Sequence, residues 1–160
     1  MSASAGPTAP RVYFARAVDG LDADQIFGLA DQLRRELESV GLVMVDPVAS
    51  EPTFRDAQPG GGMMTDPSRF YREIVEHDLA ILGGCDAVLM DMTIPDRNYI
   101  GCVCEMTYAH LWKIPCVVYQ GQIDAYRPWL RYHAAAVFAR RSEAVAYLAD
   151  HFKLVKLTAG

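Results

Sequence analysis

Residues 87–119, AVLMDMTIPDRNYIGCVCEMTYAHLWKIPCVVY, decide the fold. AVLMDM and IPCVVY are apolar almost throughout, as strands buried on both faces must be, whereas a half-wet strand would alternate. Between them, residues 93–99 carry Pro95 and Asn98 and read as a loop, and Gly101 opens a run of helical length. Strand, loop, helix and strand in that order make one unit of a parallel sheet, and ligands of such sheets bind beyond the carboxyl ends of the strands. The loop over 93–101 and Glu105, read here as a first-turn residue, would lie in that crevice.

The rest of the chain repeats the alternation. RVYFARA (11–17) has the β-branched and aromatic content of a first strand, and residues 21–40 carry apolar side chains at helical spacing, with Gly41 as the C-cap. LVMVDP supplies a second strand. Residues 48–66 show no period of either kind, and a loop of that length is functional or disordered. Gly60, Gly61 and Gly62 would make it mobile, and Met63 and Met64 would suit a flat apolar ligand. Helical spacing returns over 67–82, with Pro67 in the first turn and Phe70, Ile74, Ala80 and Ile81 as core candidates. After IPCVVY comes a second irregular segment over 121–131, then a short strand over 135–138 and a helix capped by Ser142 and running to about Phe152. The pattern predicts a doubly wound, five-stranded parallel sheet of order 2-1-3-4-5 in a single α/β domain.

Composition narrows the function. With 160 residues, 51% hydrophobic, the chain has material for one full core, and a formal net charge of -5 with scattered basic residues argues against a nucleic acid polymer or an anionic membrane as partner. No apolar run reaches membrane-spanning length. MSASAGPTAP reads as a disordered leader over 1–10 ahead of a domain over 11–156, and the protein is expected in the cytoplasm. Cys85, Cys102, Cys104 and Cys116 lack the paired spacing of a zinc site, and His77, His110, His133 and His151 are dispersed. Five positions apart on one helix, Glu105 and His110 would point about 140° away from each other and share no metal.

Three carboxylates remain near the expected crevice: Asp78 on the helix before the third strand, Asp91 at that strand's end, and Glu105. An ionised carboxylate there is suited to attack a sugar carbon with oxocarbenium character, and free N–H groups at a helix start would keep it ionised. The plain alternative for Glu105 is helix capping. Asp91 can equally form a strand-end turn, and Asp78 can be a solvated helix residue.

Three motifs, VYFARAVDG, HDLAILGGCDAVLMDM and GCVCE followed by AHLWKIPCVVY, carry a resemblance over about residues 11–119. The chain resembles the nucleoside 2-deoxyribosyltransferase superfamily, which includes nucleoside 5'-monophosphate N-glycosidases. The resemblance implies a flavodoxin-like fold, a Glu nucleophile that forms a covalent glycosyl-enzyme, no metal or coenzyme, and homo-oligomers whose sites are completed by a neighbouring subunit. Carried over, Glu105 would be the nucleophile, Tyr13 would orient it, and Asp78 would be an acid or hydrogen-bond partner. Phe14, Ala15, Arg16, Asp91, Asn98, Tyr99 and Gly101 would bind the substrate. The segment 119–132, with Tyr126, Trp129 and Tyr132, is the candidate for contribution to a neighbour.

The chain also departs from the pattern. Tyr99 stands where the deoxyribosyltransferases commonly carry an Asp that handles the base, and Ala17 and Asp19 stand where the nucleotide glycosidases tend to place phosphate-binding groups. An Asp facing a phosphate is unfavourable, and only Arg16, Arg97 and Asn98 are placed to offset it. The expectation is therefore cleavage and transfer of the N-glycosidic bond of a nucleoside. A monophosphate hydrolase of the same fold and a non-catalytic nucleotide sensor are the alternatives.

Overall fold

The computed structural model describes residues 8–18, 20–50, 67–121 and 127–152, with backbone alone for 67–70. Residues 1–7 of the expected leader, Asp19, the glycines and methionines of 60–64, Tyr126 and the domain end beyond 152 lie outside the described residues.

Five parallel strands, β1 (Arg11–Arg16), β2 (Val43–Val45), β3 (Ala87–Asp91), β4 (Cys116–Tyr119) and β5 (Ala136–Phe138), form one sheet of order β2-β1-β3-β4-β5. This is the predicted order. Helices α1 (Ala23–Ser39), α2 (Pro47–Ser50), α3 (Pro67–Gly83), α4 (Ile100–Leu111), α5 (Pro128–His133) and α6 (Arg141–His151) complete the described elements.

Strand alternation divides the interior into two cores. Val12, Phe14, Leu89, Val117 and Tyr119 pack against Ala30, Leu33 and Leu37 of α1 and Ala144, Val145 and Leu148 of α6. Tyr13, Ala15, Val88, Met90, Cys116 and Val118 face the other way, against Leu82 of α3, Cys102, Met106 and Ala109 of α4, and Leu130 of α5. The parallel register pairs Tyr13 with Val45 on one side and with Val88 on the other, so β1 lies inside the sheet with helices over both faces.

Local chemistry sets the helix ends. Asp22 and Gln25 form a reciprocal capping box that starts α1 at Ala23, two residues later than the spacing predicts. Gly41, at φ 82°, closes it: its N–H bonds the Glu38 carbonyl and the Leu42 N–H bonds that of Leu37, so the C-terminal glycine expected from sequence occupies a left-handed turn.

Three expectations are corrected. Pro47, expected to end the second strand, and residues 48–50, expected at the head of a structureless loop, form the short α2, and the irregular segment before β5 contains α5, which Pro128 starts from the first-turn position its fixed φ suits. Ser142 does not cap the last helix. Arg140 holds the cap position, because Glu143 reaches back to accept from its N–H at 3.0 Å.

A buried ion pair ties the carboxyl ends of β1 and β2 together. Arg16 donates from both terminal nitrogens to Asp46, at 2.7 and 3.0 Å, and its guanidinium lies 4.6 Å from the centre of the Phe14 ring. The two side chains are 1% and 2% exposed, so neither charge has water to fall back on. Asp46→Ala, which strands the guanidinium, is expected to cost about 3–5 kcal/mol in urea unfolding. An Arg16→Met, Asp46→Leu double variant should lose far less, since no charge is left unpaired.

Candidate active site

Tyr13 is fully buried at the middle of β1, and its hydroxyl donates a 2.5 Å hydrogen bond to Glu105 Oε1 on α4. Residues 92 apart in sequence thus meet because alternation turns Tyr13 toward the layer that α4 covers. Burial first, then the Glu105 and Asp78 charges, raise the Tyr13 pKa well above the ordinary phenol range. The hydroxyl therefore stays protonated and remains a donor to Glu105.

Glu105 is the sixth residue of α4, which begins at Ile100, and no acidic residue lies in that helix's first turn. The capping reading of Glu105 fails for this reason, and so does its expected stabilisation by free helix-start N–H groups, since that influence fades within the first turn. The phenol hydrogen bond takes its place. A Cβ at Gly101 would meet nothing within 4 Å, so the protein's own packing does not demand glycine there.

Asp78 lies close enough for its charge to act on Tyr13, and is itself part of a hydrogen-bonded chain. His77 Nδ1 lies 2.9 Å from Asp78 Oδ1, while its Nε2 lies 3.2 Å from the Ser50 hydroxyl, which donates to the Pro47 carbonyl. The two ring nitrogens of His77 thus bridge Ser50 to Asp78, and the tautomer decides which of them donates. Sequence spacing gave no sign of this chain, because α2, which carries Ser50, falls in a stretch without periodicity.

The remaining candidates separate. Ala15 lies in the same core as Tyr13, but Phe14 lies in the opposite one, beneath Arg16. Arg16 is occupied by Asp46. Asp91, 5% exposed, shares the face of Leu89, and its Oδ1 accepts from the Thr93 N–H at 2.8 Å and hydroxyl at 2.6 Å. It is the strand-end turn former that its sequence position also allowed. Asn98 Oδ1 accepts from the Ile100 N–H at 3.0 Å, and the Tyr99 hydroxyl donates to the Ile94 carbonyl at 2.8 Å, so both close the loop that leads into α4. Arg97 lies against the first loop: a Cβ at Gly20 would come within 2.5 Å of its Nη1.

Cys85, Cys102 and Cys116 are buried free thiols, each with its pKa raised chiefly by burial, and Cys104 is exposed and free. Among the described residues no three His, Cys, Asp or Glu side chains gather into a metal-binding group, and no helix is long and apolar enough to cross a membrane.

Burial raises the Asp78 carboxyl above the ordinary carboxylate range, opposed by its His77 hydrogen bond and charge and reinforced by Asp46. The folded chain therefore holds the Asp78 proton more tightly than the unfolded chain. The resulting stabilisation is complete below the unfolded-state pKa and is lost as pH rises through the raised folded value. Asp78→Asn cannot ionise, so its denaturation midpoint, followed from about pH 4 to pH 7, is expected to decline less with pH than that of the parent. Equal slopes would show that Asp78 ionises alike in both states.

No protein family model matches the sequence, and no curated protein matches it. Solved structures do. A 2-deoxyribosyltransferase from Bacillus psychrosaccharolyticus superposes with a TM-score of 0.64 at 14% identity, over 90% of this chain and 95% of that one. A conserved protein from Enterococcus faecalis V583 gives 0.60 at 16% identity, over 91% and 98%. The CMP N-glycosidase BcmB of Clostridium botulinum gives 0.53 at 14% identity, over 88% and 98%. At such identities the likeness is one of fold, and the fold is the one the sequence motifs imply.

Proposed function

We propose that this chain cleaves the N-glycosidic bond of a nucleoside, and transfers the sugar, through a covalent intermediate on Glu105. The observation that carries the reading is the buried Tyr13 hydroxyl donating to Glu105 Oε1, with Asp78 close by. A hydrogen bond from a permanently protonated phenol fixes the carboxylate's orientation and leaves it anionic, which is what a nucleophile toward an electron-poor sugar carbon requires.

In the first step a Glu105 oxygen bonds to C1' as the C1'–N bond breaks, and the bonding pair leaves with the base. Asp78, whose carboxyl pKa is raised by burial and which is hydrogen-bonded to His77, is the source of the proton for the departing nitrogen. In the second step a new base, or water, attacks C1' from the face the first base left. The ester bond breaks, the Glu105 carboxylate is restored, the attacking atom's proton returns to Asp78, and configuration is retained over the two displacements. No metal or coenzyme enters either step.

The capture of Arg16 by Asp46 supports a nucleoside over a nucleotide, since one of the arginines available for a 5'-phosphate is already used. The monophosphate hydrolase stays as a second reading on one observation, the Arg97 guanidinium packed against Gly20 in the loop after β1. Free base released from ribo- and deoxyribonucleosides and their 5'-monophosphates, with and without an acceptor base, separates the two. Glu105→Gln should fold and lose at least about 10³-fold in rate, whereas activity within about tenfold of the parent would end the assignment.

The protein acts as a homo-oligomer through α4. Ile100, Val103, Cys104, Tyr108 and Leu111 recur at helical spacing and remain exposed, although Cys102, Met106 and Ala109 of the same helix are already buried. A helix apolar on two faces is suited to two packing partners, and a second copy of this chain supplies the second. Trp129 and Tyr132 of α5, 77% and 72% exposed, extend that surface. Leu111→Glu is expected to shift the sedimentation velocity peak from oligomer to monomer. An unchanged peak would place the interface elsewhere.

A further inference from the structure

Beyond the carboxyl ends of β3 and β4 lies a cavity of about 820 Å³, reached from the loops that follow these two strands. Gln120 continues the line of β4, its N–H bonding the Phe138 carbonyl, and is 8% exposed. By strand alternation its side chain leaves on the face of Cys116 and Val118, the face that α4 covers. Neither its Oε1 nor its Nε2 has a hydrogen-bond partner, and both atoms are shut off from solvent. Buried amides pair with their surroundings almost without exception, and leaving a donor and an acceptor unmade on one side chain is unfavourable. An apolar residue would be better there unless something else supplies the partners.

The other walls say what kind of group that is. Met92 and Tyr99 offer apolar and aromatic surface to a flat ring. Among the described residues, the charged side chains lining the cavity are Asp96, Arg97 and Arg127, two cations to one anion. Asp96 sits at φ 56°, in the left-handed region where a side chain is disfavoured, so the loop on this wall is held in a costly shape. The space is of ligand size.

Neither Tyr13 nor Glu105 is among the described residues that line this cavity. Glu105 turns toward β1, whereas Val103 and Met106 line a smaller hollow against Arg127 and α5, on the other flank of α4. The two places share the loop over 92–99 and the start of α4 between them.

We propose that this cavity is a second binding site, for a small anionic molecule with an amide-type edge, in which Gln120 pairs with an adjacent donor and acceptor on the ligand's ring and the arginine wall receives its negative charge. A nucleobase ring carrying a phosphate has both features, because every base presents such an edge and a glutamine amide can meet it bidentately. The choice of nucleotides as ligand class rests on the proposed nucleoside chemistry. The unpaired amide and the charge of the walls do not.

The test is calorimetric titration of Glu105→Gln protein, which should not turn substrate over, with the 5'-monophosphates of adenosine, guanosine, cytidine and uridine, and separately with the nucleosides and with inorganic phosphate. The expected result is saturable binding of at least one monophosphate, weaker binding of its nucleoside, and a further loss of at least about tenfold on adding either Gln120→Leu or Arg127→Met. Thermal unfolding of Gln120→Leu without ligand gives an independent readout. Its midpoint should equal or exceed that of the parent, because an amide awaiting a ligand contributes nothing to the empty protein. Absence of binding by every monophosphate at millimolar concentration would overturn the proposal. So would monophosphate binding unchanged within about twofold in Gln120→Leu, or a midpoint lowered by several degrees, which would mean the amide is already satisfied. Base release by the parent protein reports on Glu105 alone, so either reading can fail while the other stands.

Discussion

The hydrogen bond from Tyr13 to Glu105 is the constraint around which the candidate site is built. It needs a phenol at the middle of an interior strand, a helix laid over that strand at the right height, and a carboxylate on the flank of the helix nearest β1. Fully buried, the phenol has no route to ionisation, and the carboxylate beside it makes ionisation less favourable still. The pair thus keeps its proton on the phenol oxygen. Such preorganisation is what the proposed role of Glu105 requires, since it avoids the reorganisation that water would demand around a carboxylate.

The same alternation that brings Tyr13 to Glu105 takes Arg16 away from it. Three residues along β1, the side chain leaves from the opposite face, where Asp46 meets it and the Phe14 ring lies against it. The ion pair spans neighbouring strands at the carboxyl ends of β1 and β2. A pair with almost no exposure offers geometry more than stability, since desolvation offsets much of its attraction. Its consequence for function is negative but definite: a guanidinium that could have met a phosphate is committed to the scaffold.

Around this frame, polar groups are distributed by an unequal rule. Asp91, Asn98 and Tyr99 each close a local turn. Ser50, His77 and Asp78 hold one another. Gln120 departs from this pattern, and does so beside a cavity with arginine in its wall. Tyr119, its neighbour in the strand, points to the opposite face, where burial first and the Asp91 charge second raise its hydroxyl above the ordinary range. Adjacent residues of one strand thereby serve different layers, and only the second opens on the cavity.

The sequence by itself determined the strands, their order and most of the helices, because these follow from local periodicity and turn chemistry: apolar runs, helical spacing, a glycine at φ 82° after α1, and loops marked by proline and asparagine. It missed α2 and α5, which are too short to show a period, and put the last helix cap at Ser142, because a backward reach from Glu143 outweighed a serine's ordinary preference. It placed Glu105 and Asp78 near the crevice from the pattern, reached Tyr13 only through resemblance, and misjudged Glu105 as a first-turn residue because a helix start is uncertain by a turn when no capping side chain marks it. The tertiary structure alone decided the partners: Asp46 for Arg16, Ser50 and His77 for Asp78, and none for Gln120. Partners drawn from separate elements are chosen by how those elements pack, and a linear pattern carries no record of which side chains that packing will bring together or leave apart.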